Sequence, residues 1–300
     1  MALYAFDGTG NEDQEDATRD SNVVDFFSAY VDANKNDDTS KKTGSLYLKG
    51  IGERAKLLVG KVLAEAFGLG GHKRVRQAMD RLENNIDAGD RTVDIVGFSR
   101  GAALAMSFAN EIASKMPGTP VRFIGVFDVV GQFGVPGRHI NAGHVLTLPA
   151  NVQCCRHAMA LDETRELFPV TRLCDKHGNH GEPLRELWFR GVHSDVGGGN
   201  ANRGLNWIAL NWMLLNAQKA GLPIDPAAIE SNLADRGLPQ QISDHKLDLQ
   251  HRRTFFPSDC LHSSVVLSAG TPGRPHNNPT FPLKRMNDDG SFVEEAAAGH

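Results

Sequence analysis

Cysteine is scarce. The 300 residues hold four, Cys154, Cys155, Cys174 and Cys260, two of them adjacent and none in a CxxC pair. That spacing offers neither a zinc site nor a disulfide framework, and the thiols read as buried and reduced. A chain this long buries roughly three quarters of its unfolded surface and folds without such staples. Charge of one sign is lacking too: the formal net charge is −4, with Lys and Arg scattered, which gives no nucleic-acid footprint. No apolar run approaches the ~20 residues of a membrane span, so no transmembrane segment is expected. The opening MALYAFDGTGNEDQED lacks the basic region and long apolar core of a signal peptide. The expectation is a soluble protein, cytoplasmic as synthesised, with export by a machine that needs no signal peptide left open. Internal repeats and low-complexity linkers are absent as well. One domain is therefore expected over 1–300, with 222–300 a less regular C-terminal part packed on it. The acidic loop 12–20 lacks the spacing and glycine of a calcium-binding EF-hand and reads as solvated.

What is present is alternation. Residues 2–6 are a short apolar run ended by Asp7-Gly-Thr-Gly-Asn11, a strand and its turn. Residues 23–31 follow as a helix with Ser21 as N-cap, and 45–51 as a second strand. Apolar residues at three- and four-residue spacing predict helices over 54–67 and 72–86, separated by GLGG. Then come a strand at 92–96, a helix at 102–116, strands at 121–127, 152–161 and 184–192, and an apolar helix at 205–220. Beyond 222 only 264–267 looks strand-like. Strands alternating with helices predict an α/β fold, a mostly parallel central sheet with helices on both faces.

One stretch inside that pattern carries chemistry. In IVGFSRGAALA, Gly97-Phe-Ser99-Arg-Gly101 stands between a strand and a helix, the setting in which G-x-S-x-G forms a nucleophile elbow. A sharp strand-to-helix turn strains the serine and leaves no room two residues to either side, so Gly97 and Gly101 serve there. The hydroxyl then sits at a strand's carboxyl end beside a helix N-terminus. Its proton needs a base, and the base an orienting acid. Asp128 in GVFDVVG and Asp162 in MALDET both follow strands and compete for the acid. His193 in GVHSDVGGG and His262 in CLHSSV compete for the base, whereas His157 reads as core, and His177 and His180 as exposed loop. For the oxyanion hole the donors are the N–H of Arg100 and an N–H near Gly8-Thr9 after the first strand. No cofactor or metal is required. Two other classes stay open: a metal-dependent hydrolase with Asp7, Asp128, His193 and Asp195 as ligands, and a catalytically silent binding module.

FDGTGN, GFSRGA, FDVVG, RHAMALDETR and LWFRGVHSDVGGG, followed by GLNWIALNWML, occur in this order over 2–220. Together they resemble the α/β-hydrolase domain family that forms the catalytic part of type VI secretion phospholipase effectors of the first lipase class. The resemblance implies an α/β-hydrolase fold and an acyl-ester hydrolase acting on lipids, phospholipids above all; a small-ester esterase or thioesterase without lipid activity is the alternative. It implies Ser99 as nucleophile, Asp128 as acid and His193 as base, and an immunity or secretion-machinery protein as partner. DCLHSSV is a further candidate match, which keeps His262 in play. The long membrane-engaging regions of the large effectors have little room here. Trp207 and Trp212 read as facing the core rather than lipid.

Overall fold

In the computed structural model the described residues are 1–14, 16–32, 42–50, 61–131, 146–174, 182–244, 251–271 and 274–294. The strand β1 (Ala2–Phe6) is buried at every position, as a strand covered on both faces must be, and this is why it reads as a continuous apolar run. The same holds for β3 (Val93–Phe98) and β5 (Cys155–Ala160), and nearly so for β4 (Val121–Phe127) and β6 (Leu184–Phe189). With β2 (Leu46–Leu48), β7 (Cys260–His262) and β10 (Lys284–Met286) they form one sheet in the order β10-β7-β6-β5-β4-β3-β1-β2. Every pairing within it is parallel.

Helices cover both faces. On one, α2 (Lys61–Asp87) and α3 (Ser99–Lys115) close over Tyr4, Ile95 and Val126, with Phe108 of α3 against the rings of Tyr4 and Phe6. On the other, α1 (Asn22–Ala29) and α5 (Arg203–Lys219) close over Leu3, Val96 and Phe123. This is the layering the sequence predicts, a parallel central sheet with helices on both faces. Trp207 and Trp212 of α5 are both buried in that second core. Ser21 caps α1, its Oγ accepting from the Val24 N–H at 3.3 Å.

The chain steps outward from β1 to β2, then returns to β1's other side as β3 and continues away from there. The carboxyl ends of β1 and β3 therefore flank the point where the strand order reverses, the crevice in which open α/β sheets bind ligands. Gly8-Thr9 follows one of those ends and Ser99 the other.

Several boundaries differ from the sequence reading. GLGG does not separate a pair of helices: α2 runs through it without a break, while 51–60 lie outside the described residues. Each glycine disfavours helix by about 1 kcal/mol, but Val75, Ala78, Met79 and Leu82 of the same helix are buried in the core, and tertiary packing outweighs that. The helix expected from 102 begins at Ser99 itself. Residues 264–267 are not a strand. Val266 and Leu267 are 68% and 55% exposed, and the strands of this region are β7 and β10, three residues each and too short to display a period. A further helix, α4 (His193–Gly197), opens the glycine-rich loop, and α6 (Pro226–Leu233) follows α5, capped by the Asp225 side chain on the Ala227 N–H. A small antiparallel hairpin pairs β8 (Gly270–Thr271) with β9 (Arg274–Pro275). All four cysteines are free thiols, but only Cys155 is fully buried.

Candidate active site

Ser99 sits at a forced turn. It directly follows β3 and has φ of 59°, a left-handed conformation that costs a non-glycine residue about 1–3 kcal/mol and persists only where its surroundings impose it. The two glycines are what the turn demands. A Cβ at Gly97 would lie 2.7 Å from the Ala102 Cα, and one at Gly101 2.3 Å from the carbonyl oxygens of Phe6 and Asp7. At Gly101 the start of α3 thus meets the backbone at the carboxyl end of β1 directly.

His193 is the first residue of α4, just past β6. Its Nε2 lies 2.8 Å from Ser99 Oγ and its Nδ1 2.5 Å from Asp128 Oδ2. With the ring proton on Nδ1, His193 donates to Asp128 and accepts from the serine hydroxyl. The rings of Phe98 and Phe168 flank the imidazole, with centroids at 4.6 and 4.9 Å. Gly197 makes this possible, since a Cβ there would meet the Phe98 ring at 1.9 Å. Burial in this aromatic slot lowers the His193 pKa from its ordinary value, partly offset by Asp128, so the ring is neutral at pH 7.

Asp128 ends β4 and is also strained, with φ of 42°. Its backbone is fixed on the β5 side: its N–H donates to Ala158 O (2.7 Å), and the next N–H, of Val129, to His157 Nε2 (3.2 Å). His157 is held in turn by Glu186, Nδ1 to Oε1 at 2.8 Å, so the histidine read as core serves as a strut behind the acid. The Asp128 carboxylate accepts from the Ala160 N–H (2.9 Å), from His193 and from both Nη atoms of Arg253 (2.6 and 2.8 Å). Full burial alone would raise its pKa. The Arg253 guanidinium and the His193 ring together hold it well below the usual carboxylate range instead.

Two neighbours carried no clear sequence signal. Arg253 lies in the stretch without periodicity. Glu163, next to Asp162, accepts from the His193 backbone N–H at 3.2 Å and pairs with Arg165. Burial opposes its ionisation, but Arg165 holds the Glu163 carboxyl at about 2. Glu163 was visible in LDETR but overshadowed by the aspartate beside it.

The other candidates lie elsewhere. Asp162 accepts from Arg190 Nη1 and from the Gly191 and Asn277 N–H groups, so it braces the loop before His193 rather than touching the ring. His262, on β7, bonds Ser264 and Asp288 and stacks on Phe189. Asp7 and Asp195 do not converge on Asp128. Asp195 binds the Val192 N–H and the Ser243 hydroxyl, while Asp7 accepts from Ser21, Tyr47 and Gly8. Among the described residues no group of three or more His, Cys, Asp or Glu could hold a metal ion. His177 and His180 lie outside the described residues.

Ser99 and the Gly8-Thr9 turn follow the carboxyl ends of the adjacent parallel strands β3 and β1. The N–H of Arg100 is in the first turn of α3, where the helix gathers partial positive charge. After β1, in the Gly8-Thr9 turn expected to supply the second donor, the Gly8 N–H donates to Asp7 Oδ1 at 2.6 Å. The Thr9 N–H makes no hydrogen bond among the described residues.

Comparison with known proteins adds family evidence. The model of the type VI secretion Tle1-like phospholipase effector catalytic domain matches residues 3–116 and 106–216. Among curated proteins there is no match. A crystal structure of an uncharacterized protein from Pseudomonas aeruginosa is similar over 77% of this chain and 48% of its own, at 21% identity and a TM-score of 0.54. The Tle1 effector bound to the VgrG spike of the type VI secretion system is similar over 66% of this chain and 50% of its own, at 23% identity and a TM-score of 0.45. This chain spans about half the length of each of those proteins. At 21% identity the likeness to the Pseudomonas aeruginosa protein is one of fold.

Proposed function

Because the chain belongs to the Tle1-like catalytic-domain family of type VI secretion phospholipase effectors, we propose that it is a serine hydrolase that cleaves acyl esters of lipids through Ser99, His193 and Asp128. One observation carries the reading: an unbroken hydrogen-bond chain from Asp128 through His193 to a serine held at a strained turn. Ser99 Oγ attacks the ester carbonyl while His193 Nε2 takes its proton, and the imidazolium formed is stabilised by Asp128. The oxyanion meets the N–H groups of Arg100 and Thr9. His193 then gives its proton to the leaving alcohol as the carbon–oxygen bond breaks, leaving an acyl-serine. Water, deprotonated by the same ring, releases the acid and restores Ser99.

Phospholipid is the substrate class we favour. Leu167, 56% exposed, places an apolar side chain one residue from the Phe168 ring that lies against His193, suited to an acyl chain. Among the described residues no helix is long and apolar enough to cross a membrane, so contact with lipid would be made from outside the bilayer. Delivery by the type VI machinery belongs to this reading, with a component of that machinery and an immunity protein as partners.

The test is a panel running from short acyl esters to phospholipid vesicles, with Ser99→Ala alongside. Turnover is expected to fall by at least about 10⁴-fold in the variant, with its circular dichroism unchanged. Equal turnover would sink the mechanism. Ser99-dependent cleavage of short esters alone would retain the three residues and remove phospholipid.

A further inference from the structure

The family match ends at residue 216, yet the acid of the proposed site is gripped from outside that stretch. Arg253 is buried, and its guanidinium donates to four oxygens: Asp128 Oδ1 and Oδ2, Ala160 O (2.5 Å) and Phe168 O (2.9 Å). The Arg253 carbonyl in turn accepts from Asn277 at 3.0 Å, whose side chain also donates to Leu161 O. One side chain therefore joins the end of β4, the end of β5, the loop carrying Phe168 and the C-terminal region of the chain.

We infer that Arg253 is a positioning residue for the hydrolytic site, forking onto both Asp128 oxygens to fix the carboxylate toward His193 and sharing its negative charge. Asp128 is buried with φ of 42°, and among the described residues, apart from Arg253, each of its oxygens has one partner, His193 at Oδ2 and the Ala160 N–H at Oδ1. The planar fork of Arg fixes both oxygens at once, which a Lys ammonium cannot do. The fork also has a cost. A cation beside Asp128 weakens the pull of that carboxylate on an imidazolium, so Arg253 lowers the proton affinity of the coupled Asp128–His193 pair.

The charged groups around the His193 ring define what removal would do. Asp128 lies at Nδ1 and Glu163 at the backbone N–H, with Arg165 drawn onto Glu163 and over Phe168. Asp195, on the same helix, turns its carboxylate to Val192 and Ser243. Without Arg253 the nearest carboxylate is left unopposed and the pair holds its proton to higher pH.

This inference rests on the hydrolase reading, but its test does not depend on turnover alone. kcat/KM on a soluble ester is measured against pH for the wild type, Arg253→Met and Arg253→Lys. In parallel, the His193 ring titration is followed by NMR in Ser99→Ala, with and without each Arg253 change. Arg253→Met is expected to move the acid limb and the ring titration upward by about one pH unit and to lower the plateau by about 10- to 100-fold. Arg253→Lys keeps the charge and loses the fork, so its limb stays near the wild type while its plateau falls about 10-fold. An acid limb and ring titration unmoved by Arg253→Met would overturn the assignment, however low the plateau. Should that variant fail to fold, a wild-type plateau in Arg253→Lys would overturn it as well. A shifted ring titration in a protein without turnover would uphold Arg253 and remove the hydrolase reading instead.

Discussion

At the scale of single residues, the site is built by two strained backbones and by the absence of side chains beside one of them. Ser99 and Asp128 are the two non-glycine residues with positive φ among the described residues, and they stand at the ends of the neighbouring strands β3 and β4. Both lie within a framework of buried hydrogen bonds, including one from the Val130 N–H to Ser99 O at 3.2 Å. Gly101 is the tightest point of the elbow. Its Cβ position falls 2.3 Å from two carbonyl oxygens of β1's end, and backbone cannot yield as a flexible side chain can. Gly101→Ala should therefore push β1 and the Thr9 loop away from α3. We expect a lower melting temperature and at least a 10-fold loss in turnover, roughly the effect of an ångström-scale misplacement. Wild-type turnover together with a wild-type melting temperature would contradict the close approach.

At the scale of elements, α3 carries Ser99, the proposed nucleophile, and is anchored by its buried face. Phe108 is fully buried between α3 and β1, with ring centroids 5.0 and 5.7 Å from Tyr4 and Phe6. Phe108→Ala leaves a cavity there and is expected to cost about 3–5 kcal/mol in denaturant unfolding, while turnover per folded molecule stays near the wild type. A loss below about 1 kcal/mol would mean that the layer closes by itself. The same elements explain what the sequence could and could not tell. Buried parallel strands are short apolar runs, so β1, β3 and β4 were legible, and G-x-S-x-G between strand and helix located Ser99. The choice between Asp128 and Asp162, or between His193 and His262, was not. All four lie at or near strand carboxyl ends, and a linear pattern holds no lateral coordinate. His262 belongs to β7, four positions from β3 in the sheet, or about 19 Å at ~4.8 Å per strand. His193 follows β6 and comes back over the sheet in α4. The continuity of α2 was hidden by glycines that packing overrides. β7 and β10 were too short to show a period, and with them went any clue to Arg253.

At the scale of the whole molecule, the groups that set the chemistry also tie the stability to pH. Asp128, Glu163 and Glu186 are buried against cations or histidines that hold their carboxyls below the ordinary range. Between their unfolded values near 4 and these lower folded ones, the unfolded chain binds more protons than the folded one, so stability falls as pH drops through that window. His193, lowered by burial, adds a loss of the same sign beginning below about pH 6.5. Asp7 works the other way. Burial pushes it up to about 6 despite its bonds to Tyr47 and Ser21, so the folded chain takes up that proton first and gains stability between pH 6 and 4. The expected outcome is a guanidinium midpoint on which His193 and Asp7 act in opposite directions between about pH 6.5 and 4, and which drops steeply below 4. Asp7→Asn should remove the gain between pH 6 and 4. Asp128→Asn should begin lower at pH 7, because breaking a buried ion pair costs about 3–5 kcal/mol, and should then fall less steeply in acid because one titrating group is gone. A wild-type midpoint that holds constant down to pH 2.5 would contradict this account. So would an Asp128→Asn profile parallel to the wild type, since the ion pair that joins residue 253 to the end of β4 would then contribute nothing to the acid transition.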